Sequence, residues 1–503
     1  MSWRGTGKPA ILRVIGLLFF AALGFLTMGY HPGAEDDGVY LTAVQSDLNP
    51  SLFPHDSGFF KLQLETTIFD TSMAAFVRTT GMPVAWAELL WQALSILLIV
   101  WACWAIVCQL FETPDARWGG IAMVTAMLTL PVAGTALFIA DQYLQPRNPA
   151  TALILFGVSR VLAGKRWQAV PFVVVAFLLH PLMGALGISF CLVLTLTLSE
   201  PLQERLRLIR ERLVPAPAAP LAAFIPFGWV FSQPSQTWLD ALDSRHWFRL
   251  YQWTWYEWLG AVGPLVIFWI VLRAALRQGE IKLARFATAI LIYGAFQLSV
   301  AMIILGPREL ITLSTLEPMR YLHLIYVFMA LVAGAYLGRY VLKKRVLRWA
   351  AFLLLANGGM FLAQRQLFAG TEHLELPGRS TSNPWLQAFT WIRTNTPVDA
   401  YFALDPNYMA APGEDYHGFR ALAERSVLAD AIKDTSVVTK IPELGPDWER
   451  QVQAQAGWPE FKPADFERLK REFGVSWVVV ANRQGAGLDC EWHNASLLVC
   501  RIP

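Results

Sequence analysis

The sequence predicts a polytopic α-helical membrane protein of about eleven transmembrane segments, followed by a small extracytoplasmic α/β domain. Three observations carry this. Of 503 residues, 55% are hydrophobic and only 16% are charged, whereas a soluble domain is about a quarter charged. Mean hydropathy is +0.40. The apolar residues gather in runs long enough to cross roughly 30 Å of hydrocarbon, and these runs stop near Ala363.

The long runs are Ile11–Gly29, Val84–Leu110, Gly119–Ala140, Gly260–Leu276, Phe286–Gly306, Tyr321–Leu342 and Leu347–Ala363. Shorter ones are Pro149–Leu162 and Pro220–Phe231. The first follows Arg4, Lys8 and Arg13 without an A-x-A cleavage site, so an uncleaved span is expected. Trp167–Leu198 is too long, because one helix of that length would extend roughly 48 Å. His180-Pro181 interrupts it, and proline breaks an interior helix. It therefore reads as two short helices that meet at His180.

Basic residues should concentrate on the cytoplasmic side. With the N-terminus inside, the inner segments take Arg160, Lys165 and Arg166; Arg205, Arg207, Arg210 and Arg212; Arg273, Arg277, Lys282 and Arg285; and Arg339, Lys343, Lys344, Arg345 and Arg348. The outer loops keep Lys61, Arg78, Arg147, Arg245, Arg249, Arg308 and Arg320. The bias collapses without the break at His180-Pro181. This orientation puts the first loop (30–83), the aromatic loop around Trp238 to Trp258, and everything after Gln364 outside.

The expected division is a helical domain over 1–369 and an extracytoplasmic domain over 370–503. In the latter, Asn383-Pro384 starts a helix, with Asn as N-cap and Pro at the first helical position. Tyr401–Leu404 and Val475–Val480 read as strands. Pro463–Phe473 reads as a helix stopped by Gly474. Cys490 and Cys500 flank a terminal hairpin. A disulfide is one reading and two reduced thiols the other. Asn494-Ala495-Ser496 matches the glycosylation pattern, a common chance match. The net charge of +3 and the lack of a Lys/Arg-rich run exclude a nucleic-acid partner. Membrane lipids are the expected surroundings.

Chemistry is expected at the outer face. Glu35-Asp36-Asp37, then Gly38-Val39-Tyr40, follow the first span directly. An ionised carboxylate there can act as a general base or hold a divalent cation. The bland alternative is a solvated acidic turn. Asp141, near Arg147, reads as a second ligand or orienting carboxylate, or as half of a local Asp–Arg pair. His180 sits at the apex of a broken helix, where an ionisable residue is a functional candidate. Arg308, Glu317 and Arg320 flank a late span, and arginine's planar fork suits a lipid phosphate. Snorkelling to headgroups is the alternative. For Trp238, Trp247, Trp253, Trp255 and Trp258, interfacial anchoring is favoured over sugar stacking.

A first span, an outer loop opening on paired carboxylates, many spans with short inner loops, and an extracytoplasmic α/β domain together resemble the GT-C superfamily. These are integral membrane glycosyltransferases that use polyprenyl-phosphate-linked sugars. The runs Gly29-Tyr30-His31-Pro32, Glu35-Asp36-Asp37-Gly38-Val39-Tyr40 and Leu52-Phe53-Pro54-His55-Asp56 look like a bacterial branch. Trp391–Pro397 and Phe473–Val480 are similar to segments after the spans in such proteins. The resemblance implies a multi-pass protein of the bacterial inner membrane with a cytoplasmic N-terminus. It implies an inverting transfer from a polyprenyl-phosphate sugar to a glycan, lipid or protein acceptor. Asp36 or Asp37 would be catalytic, and Glu35, Tyr40, Asp141, Arg147, His180, Arg308, Glu317 and Arg320 would bind substrate. A divalent cation, if used, would fall to Asp37 and Asp141. The alternative is a non-catalytic protein of the same architecture that binds or transports lipid-linked envelope intermediates.

Overall fold

The computed structural model describes residues 7–65, 67–199, 234–485 and 487–503. The expected run Pro220–Phe231 and the basic group at 205–212 lie outside the described residues. Seven helical stretches among the described residues are long and apolar enough to cross a membrane. They are Ala10–Met28, Val84–Leu110, Pro181–Leu198, Trp255–Arg277, Ile281–Leu305, Leu310–Leu342 and Val346–Leu367. They fit a multi-pass membrane protein. Helix Val346–Leu367 has only 6% of its apolar window buried, and Leu347, Leu354 and Leu355 are exposed, as lipid-facing residues should be.

In chain order, α1 (Gly7–Met28) leads into three short helices, α2 (Asp37–Leu48), α3 (Gly58–Leu64) and α4 (Phe69–Thr80), and then the long α5 (Val84–Leu110). Next comes α6 (Pro114–Ala126), which corrects one expectation. The apolar run Gly119–Ala140 is not one helix. Helix α6 ends at Ala126, and a small hairpin follows, Pro131–Val132 paired antiparallel with Leu137–Phe138. Pro131 lacks the N–H that a continuing helix needs, and Gly134 turns the hairpin at φ 60.

The break at His180 is present. Helix α7 (Arg147–Leu162) is followed by α8 (Arg166–Leu179) and α9 (Pro181–Leu198). His180 is extended, at φ −148 and ψ 93, because the residue before proline is pushed out of the helical region. Its ring accepts the Met183 amide at 3.5 Å.

After the gap come α10 (Gln236–Asp243), α11 (Trp255–Arg277), α12 (Ile281–Leu305), α13 (Leu322–Leu337) and α14 (Val346–Leu367). Helices α6 and α13 touch through glycine. A Cβ on Gly119 would stand 2.3 Å from the Gly334 carbonyl oxygen. Such small-residue contacts let membrane helices approach closely where no hydrophobic force between them exists.

The remaining chain builds a five-stranded sheet in the order Ser426–Val427, Tyr401–Ala403, Trp477–Ala481, Leu497–Arg501, Asp489–His493. The first three strands are parallel and the last two join antiparallel. Asn383 caps helix α15 (Pro384–Asn395), accepting from Trp385 N at 2.8 Å and Leu386 N at 3.2 Å. Gly474, at φ 80, stops the helix Pro463–Phe473. Cys490 and Cys500 face each other in the terminal hairpin and are disulfide-bonded.

The loop after α1 does not stand apart from this sheet region. Tyr30 bridges Leu374, and Ala34 bridges His417. Gln45 Nε2 donates to the Ala421 carbonyl at 2.7 Å. Arg420 donates from Nε to Asp56 and from Nη1 to Asp434 at 2.9 Å. Asp434 lies in the short helix Lys433–Lys440. One buried guanidinium thus locks that helix to the first loop.

Candidate functional site

Helix α2 sets the geometry of the acidic triplet. It begins at Asp37, so Asp36 is its N-cap. An N-cap aspartate normally accepts from the helix's own amides. Asp36 makes no such bond. Its carboxylate instead accepts from Lys433 Nζ at 3.2 Å, and Glu35 pairs with the same ammonium. Asp37 takes a different environment. It is 2% exposed, and its Oδ2 accepts the Gly33 amide at 2.6 Å.

These partners separate the two aspartates chemically. Burial disfavours the ionised Asp36, but Lys433, Arg147, Lys440 and Arg320 outweigh it and hold the carboxyl well below the usual range. The side chain is still 43% accessible, because it opens into a cavity. Burial pushes the Asp37 carboxyl up to about 7, against hydrogen bonds from Glu88 and the Gly33 amide.

The cavity has two compartments with a common wall. One, of about 200 Å³, is lined by Asp36, Tyr40, Thr67, Arg147, His180, Glu317, Arg320 and Lys440 among others. The second, of about 300 Å³, is lined by Glu35, Asp36, Tyr143, Arg245, Trp247, Phe368, Lys433 and neighbours. Asp36, Glu317, Arg320 and Lys440 line both. Seven of the expected catalytic and substrate-binding residues therefore meet here: Glu35, Asp36, Tyr40, Arg147, His180, Glu317 and Arg320. They come from four separate stretches of chain.

Asp141 and Asp37 stand behind this wall. Asp141 is 1% exposed and holds Arg147 through two bonds, Nε to Oδ2 at 3.1 Å and Nη2 to Oδ1 at 2.8 Å. Burial raises the Asp141 pKa against the pull of Arg147, while Asp141 overcomes the burial of Arg147 and raises the guanidinium's pKa. Asp141 therefore aims Arg147 into the cavity. The Arg308 side chain lies outside the described residues.

Glu317 and Arg320 pair at 2.8 Å, Nη2 to Oε1. Glu317 has φ 43 and Glu35 has φ 53, a left-handed backbone that non-glycine residues seldom adopt. Such outliers concentrate at functional sites, and both of these line the cavity.

Three cations of the site are not picked out as site residues by the sequence: Arg245, which it places only in an outer loop, Lys433 and Lys440. Lys433 and Lys440 are the ends of one short helix, spaced by two turns and so on one face. Ser436 lines the same compartment. That spacing was the available signal, but helix position alone does not show what faces it. Among the described residues, Lys440 Nζ has no hydrogen-bond partner. Burial lowers its pKa, with Glu317 and Asp36 opposing and Arg320 and Arg147 assisting.

The donor set does not suit a divalent cation. Asp141 gives both oxygens to Arg147, and Asp37 is committed to Gly33 and Glu88. Among the described residues no three His, Cys, Asp or Glu side chains gather as ligands, and Ca²⁺ takes about six to eight oxygens. The cavity's positive charge is supplied by arginine and lysine.

A second cluster fastens the first loop to the sheet region. Glu375 accepts from His31 Nδ1 at 2.6 Å and lies 3.1 Å from His417 Nε2. His417 Nδ1 is 3.1 Å from Glu414. Against its own burial, Glu375 is held down at about 2 by His417 and His31. Against burial too, His417 is raised to about 10 by Glu375 and Glu414.

No protein-family model matches the chain, and no curated protein matches it. Among solved structures it is similar to the oligosaccharyltransferase of Archaeoglobus fulgidus, solved with a tethered acceptor peptide containing the NVT sequon. The identity is 13% and the TM-score 0.39, over 93% of this chain and 69% of that one.

Proposed function

We propose that this chain is an inverting membrane glycosyltransferase that takes a sugar from a polyprenyl-phosphate donor and passes it to a hydroxyl-bearing acceptor on the extracytoplasmic side. The observation that carries the reading is the wall shared by the two compartments: the ionised carboxylate Asp36 beside Lys440 and the Arg320–Glu317 pair. The sequence resemblance to GT-C enzymes agrees with it.

The charges match the reaction. The donor's phosphate lies in the smaller compartment, facing Arg147, Arg320 and Lys440. The acceptor hydroxyl enters from the larger one and hydrogen-bonds Asp36. Its oxygen attacks the anomeric carbon as the bond from that carbon to the phosphate oxygen breaks. The bonding pair leaves with the phosphate, where fixed cations stabilise the developing charge. The hydroxyl proton passes to Asp36 as the oxygen becomes positive. A carboxylate held this strongly ionised is a weak base at rest, so orientation of the hydroxyl is its main contribution. Asp141 keeps Arg147 aimed, and Lys433 keeps Asp36 charged.

Asp36→Asn and Asp37→Asn separate the roles. With both variants expressed at normal levels, Asp36→Asn lowers sugar transfer by about a hundredfold or more, whereas Asp37→Asn acts through stability. Unchanged transfer by Asp36→Asn sinks the assignment. Lipid-phosphate binding without turnover in the native chain would make it a binding protein instead.

A further inference from the structure

The larger compartment carries chemistry that the transfer reading leaves unused. Its wall includes Tyr143, Trp247 and Phe368, and Ser436 and Thr439 belong to the same lining. Trp247 Nε1 is buried without a hydrogen-bond partner among the described residues. A buried unmatched donor is costly. Arg245 sits 5.4 Å over the Trp247 ring and donates from Nη2 to the Ile432 carbonyl. A guanidinium has five N–H donors, so others are left for a ligand.

We infer that this compartment binds the acceptor as a carbohydrate, a sugar ring resting on the aromatic wall with its hydroxyls served by Trp247 Nε1, Arg245 and Ser436. The inference rests on the transfer reading and names its acceptor class. A sugar presents an apolar C–H face and a rim of hydroxyls. Aromatic faces interleaved with donors match both. An acyl chain would strip water from Glu35, Asp36, Arg245 and Lys433 with nothing in return. An extended peptide needs partners for a row of backbone groups, and about 300 Å³ is the lower limit of ordinary ligand pockets.

The test uses the full chain in nanodiscs, with chitobiose and lactose as sugar ligands and a serine-containing tripeptide as the competing class. Saturation-transfer NMR should show signal on the disaccharide ring protons. Trp247→Ala should reduce it about fivefold or more, Trp247→Phe should restore part of it, and Trp255→Ala, at a residue 77% exposed, should leave it unchanged. No saturation of either disaccharide overturns the inference. Equal loss in Trp247→Ala and Trp255→Ala does too, as does Trp247-dependent binding of the tripeptide in place of the sugars. Undecaprenyl phosphate, added separately, distinguishes the two readings. Disaccharide binding without lipid-phosphate binding supports the sugar compartment and sinks the donor assignment. Lipid-phosphate binding without disaccharide binding sinks this inference alone.

Discussion

Lys433 Nζ donates to Asp36 Oδ1 at 3.2 Å, joining residues 397 positions apart in the chain. The pair brings the loop after the first span and a helix of the sheet region to one point, and Lys433 is the largest of the four cationic influences that keep Asp36 ionised. In Lys433→Met the Asp36 pKa rises. Activity that needs ionised Asp36 is lost as pH falls through that pKa, so the acid limb of the pH–rate profile moves to higher pH. A profile of transfer rate against pH checks this, and an unmoved acid limb contradicts it.

Asp36→Asn keeps the shape and removes the charge. Positioned acid–base groups contribute about 10²–10⁴-fold, so transfer should fall by about a hundredfold or more, with only a modest loss in melting temperature, because no cap bond is lost and Glu35 still holds the Lys433 ammonium. Activity assays beside a melting curve read both.

Asp141→Asn leaves Arg147 buried with a weakened partner. Breaking a buried ion pair costs about 3–5 kcal/mol. The variant should lose stability together with phosphate affinity, whereas Arg320→Gln, whose pair with Glu317 is in the wall shared by the two compartments, should lose mainly affinity. Melting temperature and binding of undecaprenyl phosphate, measured on both variants, separate the effects.

The Glu375–His417 joint gives stability a defined pH window. His417 is raised from 6.5 to about 10, so its contribution is whole below 6.5 and fades as pH rises through 10. Glu375 is lowered from 4.5 to about 2, so its contribution is whole above 4.5 and fades as pH falls through 2. The joint should hold best between those unfolded values and weaken on both sides. In His417→Gln the high-pH decline in thermal stability should shrink.

The α6–α13 contact admits no methyl group. Gly119→Ala should destabilise by about 1–3 kcal/mol, the usual cost of overpacking, while Gly358→Ala, which meets open space, should be neutral or stabilising. Thermal melting in detergent measures the difference.

Features that depend on local chemistry were legible in the sequence. His180-Pro181 forces a break, Asn383-Pro384 a helix start, and Gly474 a stop, each through short-range backbone rules. Hydropathy marked the apolar stretches, but it did not distinguish a helix from a helix followed by a hairpin, so Gly119–Ala140 read as one span. Glu35 to Asp37 stood out as charges beside a membrane span. Which of them faces a cavity depends on Lys433 and on Gly33, and the first of these lies far along the chain. The roles of Lys433, Lys440 and Arg245 stayed hidden for the same reason: they come from packing between distant segments, which periodicity does not report.

The most direct measurement is a density map of the full chain in a nanodisc with undecaprenyl phosphate. The phosphate should lie between Arg147, Arg320 and Lys440, within hydrogen-bond distance of at least two of them and on the Asp36 side of the shared wall. A phosphate seated anywhere else on the protein, or none bound at saturating lipid, would contradict it.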